Sequence, residues 1–185
     1  GTGPLGATVE SDIGNPSGGR AAADDGILRA LAQDRIAVEE VRALDNPHSP
    51  VIGGYRLTIK GDIVFRCLDP ETVMIVLYRR TAPHATLRTG FAGLIRFTEW
   101  LRHRDIGVKR LVGVVDTSHC RQEGGLSDER LERFYRLAGA RRIRAADVPG
   151  LAPVELHWHH SRGTTGVLDL TDFRLSRTGR RGSAP

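Results

Sequence analysis

The spacing of hydrophobic positions changes along the chain, and each change marks an element. Residues 1–22 mix Gly, Pro, Ser, Asn and Ala without a period, which predicts a disordered N-terminal segment. From Asp24, the positions Ile27, Leu28, Leu31 and Ile36 fall roughly on one face of a short helix. The stretch Asp45-Asn-Pro-His-Ser-Pro50 then breaks the pattern, because prolines beside Asn and Ser favour turns. Beyond it the period is two. Tyr55, Leu57 and Ile59 alternate with polar residues, and Lys60-Gly61-Asp62 turns the chain into Ile63-Val-Phe65. Asp69-Pro-Glu71 turns it again into Val73-Met-Ile-Val-Leu-Tyr78, a run apolar on both sides and therefore central in its sheet. Three neighbouring strands with short connections predict an antiparallel meander.

After a polar loop, Thr81 to Thr89, the period becomes helical from Phe91 to Arg104. Phe91, Leu94, Ile95, Thr98 and Leu101 form the apolar stripe, with Phe97 and Trp100 at its edge and Gly107 as the stop. Leu111-Val-Gly-Val-Val115 reads as a short buried strand, and Asp116 to Gly125 as a loop. The next helix is well marked. Ser127 can cap it, Asp128 and Glu129 complement its positive end, and Leu126 and Leu131 occupy the places of a hydrophobic staple. Leu131, Phe134, Tyr135 and Ala138 share a face, and Gly139 can end the helix in a left-handed conformation. Val154–His159 and Val167–Phe173 are read as two further strands. The fold class is therefore α/β (α+β): an antiparallel-to-mixed sheet flanked by helices, in one domain over residues 23–176, with a disordered basic tail at 177–185.

Composition narrows the function classes. In 185 residues with 39% hydrophobic content, no stretch reaches the roughly 18 apolar residues of a membrane span. The opening residues lack the charged and apolar segments of a secretory leader. Two cysteines, Cys67 and Cys120, are too few for a disulfide framework and fit small buried thiols in a reducing compartment, so a cytoplasmic location is expected. The net charge of +5 gathers partly in Arg174, Arg177, Arg180 and Arg181. These lie among Gly, Ser and Pro without interleaved aromatics, so a solvated tail is expected rather than a nucleic-acid surface.

The candidate chemistry is sparse. In His157-Trp-His-His160, a strand would turn His157 and His159 to one side, but no further ligand stands at a zinc-like spacing. An exposed edge strand is the preferred reading and no metal is expected. Asp116, His119 and Cys120 sit too close on one loop to orient each other as a nucleophilic triad. Glu71 is the only carboxylate at the start of the Val73 strand, and its place in a turn speaks against a general-base role. Tyr135 could act as a general acid with its hydroxyl in a cleft, or be a core tyrosine.

Two resemblances go further. The order meander, central strand, helix, strand, helix, strand is similar to that of GNAT-type acetyltransferases. In that family a [Gln/Arg]-x-x-Gly-x-[Gly/Ala] loop holds the acetyl-CoA pyrophosphate at a helix N-terminus. Leu87-Arg-Thr-Gly90-Phe-Ala92 resembles it, with Leu87 in place of the first polar residue and Arg88 one position away. Tyr135-Arg-Leu-Ala-Gly139-Ala140 resembles the family's Tyr-x-x-x-Gly-Phe ending, with Ala140 where Phe is usual. This resemblance implies acetyl-CoA as cofactor, Arg88, Gly90 and Ala92 as its contacts, and Tyr135 as the acid for the departing thiolate. The second resemblance is narrower. Val73-Met-Ile-Val-Leu-Tyr-Arg79, Gly90-Phe-Ala-Gly-Leu94, Gly113-Val-Val-Asp116 and Leu126-Ser-Asp-Glu-Arg-Leu-Glu-Arg-Phe-Tyr-Arg136 are similar to successive blocks of the LcrR family. Those small proteins are encoded with type III secretion systems and associated with regulating secretion. It implies a regulator that works through contacts with a type III secretion component. Leu87 in place of the loop's polar first residue and the absence of a placed base favour a non-catalytic role with no cofactor. The acetyltransferase stands as the alternative.

Overall fold

The structure, a computed structural model, describes residues 17–42, 44–46, 49–51, 53–80, 90–115, 128–162 and 164–175. Helix α1 (Ser17–Gln33) begins before the expected start at Asp24. The good helix formers Arg20-Ala-Ala-Ala23 carry it back into the segment that composition alone marks as disordered. Its end is a Schellman turn. Ile36 N–H donates to Leu31 O (2.9 Å) and Arg35 N–H to Ala32 O (3.1 Å), with Arg35 at φ 58°.

Next come β1 (Val38–Val41), the small hairpin β2 (Leu44–Asn46) and β3 (Ser49–Val51), and the meander β4 (Gly54–Thr58), β5 (Gly61–Asp69) and β6 (Thr72–Arg80). The meander is as expected; β1 extends it by pairing antiparallel with β4. Local chemistry fixes the β5–β6 turn. Asp69 accepts the Glu71 N–H (2.8 Å) and the Thr72 hydroxyl (3.1 Å).

Helix α2 (Ala92–Arg104) leads to β7 (Arg110–Val115), which pairs parallel to β6. Helix α3 (Asp128–Ala138), the two-residue β8 (Arg141–Arg142), helix α4 (Pro153–Arg162) and β9 (Thr164–Asp169) complete the chain. The seven-stranded sheet has the order β1-β4-β5-β6-β7-β9-β8, antiparallel except at β6–β7. The mixed sheet with flanking helices is the expected class.

Both faces of the sheet are covered. On one face Ile63, Phe65 and Cys67 of β5, with Val73 and Leu111, meet Ile27 and Leu31 of α1 and Phe97 and Leu101 of α2. Phe97, expected at the edge of its stripe, is fully buried at the centre, with its ring 5.3 Å from that of Phe65. On the other face Leu68, Met74, Val112, Val148 and Val167 form a smaller cluster.

Two expectations are corrected. Residues Val154–His159 belong to α4, not to a strand. Pro153 stands at the first helical position, and Glu155 at the third accepts the Ala152 N–H (2.9 Å), so the segment carries its own helix start. At α2 the left-handed residue is Asp105, at φ 50°, two places before Gly107. Gly139, by contrast, ends α3 as expected. Its φ is 103°, its N–H meets Arg136 O (3.1 Å), and Ala140 N–H meets Tyr135 O (2.9 Å). The second expected strand is β9, followed by a 3₁₀ turn at Leu170–Asp172. No helix among the described residues is long and apolar enough to cross a membrane.

Candidate functional site

In an open sheet with a parallel pair, the place to look is the crevice beyond the carboxyl ends of the paired strands. Here β6 and β7 are paired from Thr72↔Arg110 to Ile75↔Gly113. Among the described residues their pairing stops there. β7 continues against β9 through Val114↔Thr165 and Val115↔Thr164, while β6 continues against β5. At the same level the β5–β6 register slips between Val64 and Phe65, so that Val76 of β6 has no counterpart. The two strands therefore part just where β6 is bulged.

Helix α2 starts beside this point. Gly90 is buried, and its carbonyl accepts a hydrogen bond from the Tyr78 hydroxyl of β6. Ala92 is the first residue of α2, and Phe91 before it supplies no side-chain cap. The glycine under the strictest steric demand is Gly93. A Cβ there would fall well inside contact distance of the Ile59 carbonyl, so its absence lets the first turn of α2 lie on the end of β4.

Four rings occupy the junction of β6, α2 and α3. Phe91 is buried and stacks on Tyr78 at 5.6 Å and on Phe134 at 5.0 Å. Tyr135 meets Phe91 edge-on at 5.8 Å and Phe134 at 5.8 Å. Its ring is half-buried within this cluster. Gly90, Ala92 and Tyr135 are thus brought together through Phe91. Arg88 lies outside the described residues, as do Asp116, His119, Cys120, Leu126 and Ser127.

Glu71 is elsewhere. Its carboxylate pairs with Lys109 (2.7 Å) and Arg110 (3.3 Å), and its carbonyl accepts both their N–H groups. It ties the β5–β6 turn to the start of β7, at the end of the parallel pair opposite the parting. On helix α4 residues two apart do not share a face, which removes the strand geometry proposed for His157 and His159. Among the described residues no three His, Cys, Asp or Glu side chains gather as a metal site. A separate cleft of about 330 Å³ opens beside Arg142, Arg144, His160 and Thr165. Arg142 is paired with Glu132, and Arg144 with Asp147 at 3.0 Å.

One buried group escapes the sequence reading. Arg66, on β5, forms an ion pair with Glu155 of α4, and both are almost fully buried. The signal was there in principle: β5 is a central strand apolar on both faces, so an arginine at its middle must be buried and needs a partner.

A family model described as type III secretion system regulator (LcrR) matches residues 32–148, more than half of the chain. The chain belongs to the LcrR family. No curated protein matches it. Among solved structures it is similar to N-acetylglutamate synthase from Neisseria gonorrhoeae, complexed with coenzyme A and N-acetyl-glutamate. That likeness has 14% identity and a TM-score of 0.44, and covers 82% of this chain and 33% of that one. The LcrR-family chain thus spans about a third of that enzyme. It is also similar to an acetyltransferase from Streptococcus agalactiae, with 15% identity, TM-score 0.42 and coverage of 80% and 77%. A GNAT-family acetyltransferase from Staphylococcus aureus gives 12% identity, TM-score 0.44 and coverage of 80% and 78%.

Proposed function

We propose that this protein regulates type III secretion in the cytoplasm through contacts with another protein of the secretion system, and that it does so without acetyl transfer. Membership of the LcrR family over residues 32–148 is the observation that carries this reading. The ring cluster supports its non-catalytic half. At the start of α2, Phe91 is taken up by protein contacts of its own, stacked on Phe134 and met edge-on by Tyr135. A helix N-terminus contributes only about 0.3–1 kcal/mol to an exposed anion, against the roughly 8 kcal/mol of a micromolar complex. In this reading Gly90 and Ala92 shape the start of α2, and Tyr135 is a packing residue.

Calorimetry with acetyl-CoA and secretion in a strain lacking the gene test the two halves. No micromolar heat of binding is expected, and wild type and Tyr135→Phe should restore regulated secretion equally. Micromolar acetyl-CoA binding, with an acetyl-transfer rate that collapses in Tyr135→Phe, would establish the enzyme instead. Unchanged secretion on loss of the gene would remove the regulatory reading.

A further inference from the structure

We propose that Arg66 is a concealed carboxylate-binding site whose resident occupant, Glu155, exchanges with an acidic side chain of a partner protein. The partner's identity as a protein rests on the reading above; the site itself does not. Arg66 lies mid-sheet between Val64 and Leu68 and opposite Met74, with 5% of its surface exposed. A guanidinium offers two forks to a carboxylate, and Nη2 belongs to both. Glu155 meets Arg66 at Nη2, through Oε1, the same oxygen that accepts the Ala152 N–H. Nε and Nη1 are buried with no hydrogen-bond partner. Each fork is thus half used, and buried unsatisfied donors are costly. A carboxylate not tied to the first turn of α4 can close a whole fork.

Glu155 reaches the site from the cover formed by α4. Among the described side chains of α4, none belongs to the hydrophobic clusters, and Val154, His157 and His160 are exposed. The buried ion pair ties α4 to the middle of β5. Exchange of one carboxylate for another keeps the interior neutral, whereas a doubly charged phosphate would leave uncompensated charge there. That is why the structure points to an acidic side chain.

Formate, the smallest carboxylate, is the probe. In Glu155→Ala it should fill the vacated place, raising the urea midpoint above that in chloride at equal ionic strength. Arg66→Met/Glu155→Ala should show no such difference. In the wild-type chain formate should compete with Glu155. Amide hydrogen exchange over residues 156–162 should quicken severalfold relative to chloride, while that of β5 stays unchanged. The second measurement needs no variant to fold. Identical behaviour in formate and chloride, in the wild type or in a folded Glu155→Ala, would overturn the site. A positive formate result with no effect of the gene on secretion would leave the site standing and remove only the protein-contact reading.

Discussion

Gly26 and Gly93 both stand in helices, yet they answer to different constraints. A Cβ at Gly26 meets nothing within 4 Å. Gly26→Ala should therefore stabilise the protein by about 0.5–1 kcal/mol, the cost of glycine in a helix interior. Gly93→Ala should destabilise by about 1–3 kcal/mol or more, since the Ile59 carbonyl is backbone and cannot turn aside. Urea titrations of the two variants should shift in opposite directions. Tyr55 offers a test by pH. Burial holds its hydroxyl above the ordinary value of 10.0, aided by the negative charges of Asp24, Glu40 and Asp25. A raised value in the fold means stability that is fully present below pH 10 and lost as pH climbs through the folded value. Between pH 9 and 11 the urea midpoint of Tyr55→Phe should fall less than that of the wild type.

At the scale of elements, α2 is anchored by the inner part of its stripe. Phe97 is wedged between Phe65 and Trp100, whose ring stacks at 6.1 Å, whereas Leu94 is only partly buried. Phe97→Ala should cost about 3–5 kcal/mol and Leu94→Ala distinctly less, as read from chemical unfolding. The meander, α2, β7 and the end of α3 were legible in the sequence because period, turn residues and Gly139 all agree. Helix α4 was not. The alternating letters of Val154-Glu-Leu-His imitate an edge strand, and they outweighed Pro153 and Glu155, which together write a helix start. Phe97 was placed at an edge because the expected stripe ran through Leu94, whereas packing on β5 turns α2 toward Phe97. In the candidate site, Gly90, Ala92 and Tyr135 were singled out only as what a resemblance implies. That Phe91 would pack against Tyr135 was not legible, since a loop motif leaves its middle position unspecified. Arg66 and Glu155, 89 residues apart, meet only once the sheet and α4 are assembled.

For the molecule as a whole, the sheet is guarded at both rims. β1 carries exposed Glu39 and Glu40, and β8 is two exposed arginines long, which suits strands that must not pair with other chains. Between the rims, β4 to β6 follow one another as neighbours and β1 joins β4 across the short β2–β3 hairpin, while β7 follows β6 in the chain only beyond α2. The single parallel pair thus joins two halves that differ in how far along the chain their contacts reach. Closing a long segment costs entropy before any contact rewards it. The meander should therefore condense early, and the docking of β7 and β9 should come late. On this timetable Val64→Ala, in the meander, should slow refolding, whereas Val167→Ala, on β9, should leave refolding nearly untouched and hasten unfolding. Stopped-flow chevrons of the two variants would read this order from their opposite limbs. The short β6–β7 seam, from Thr72↔Arg110 to Ile75↔Gly113, should then be the last to close in time.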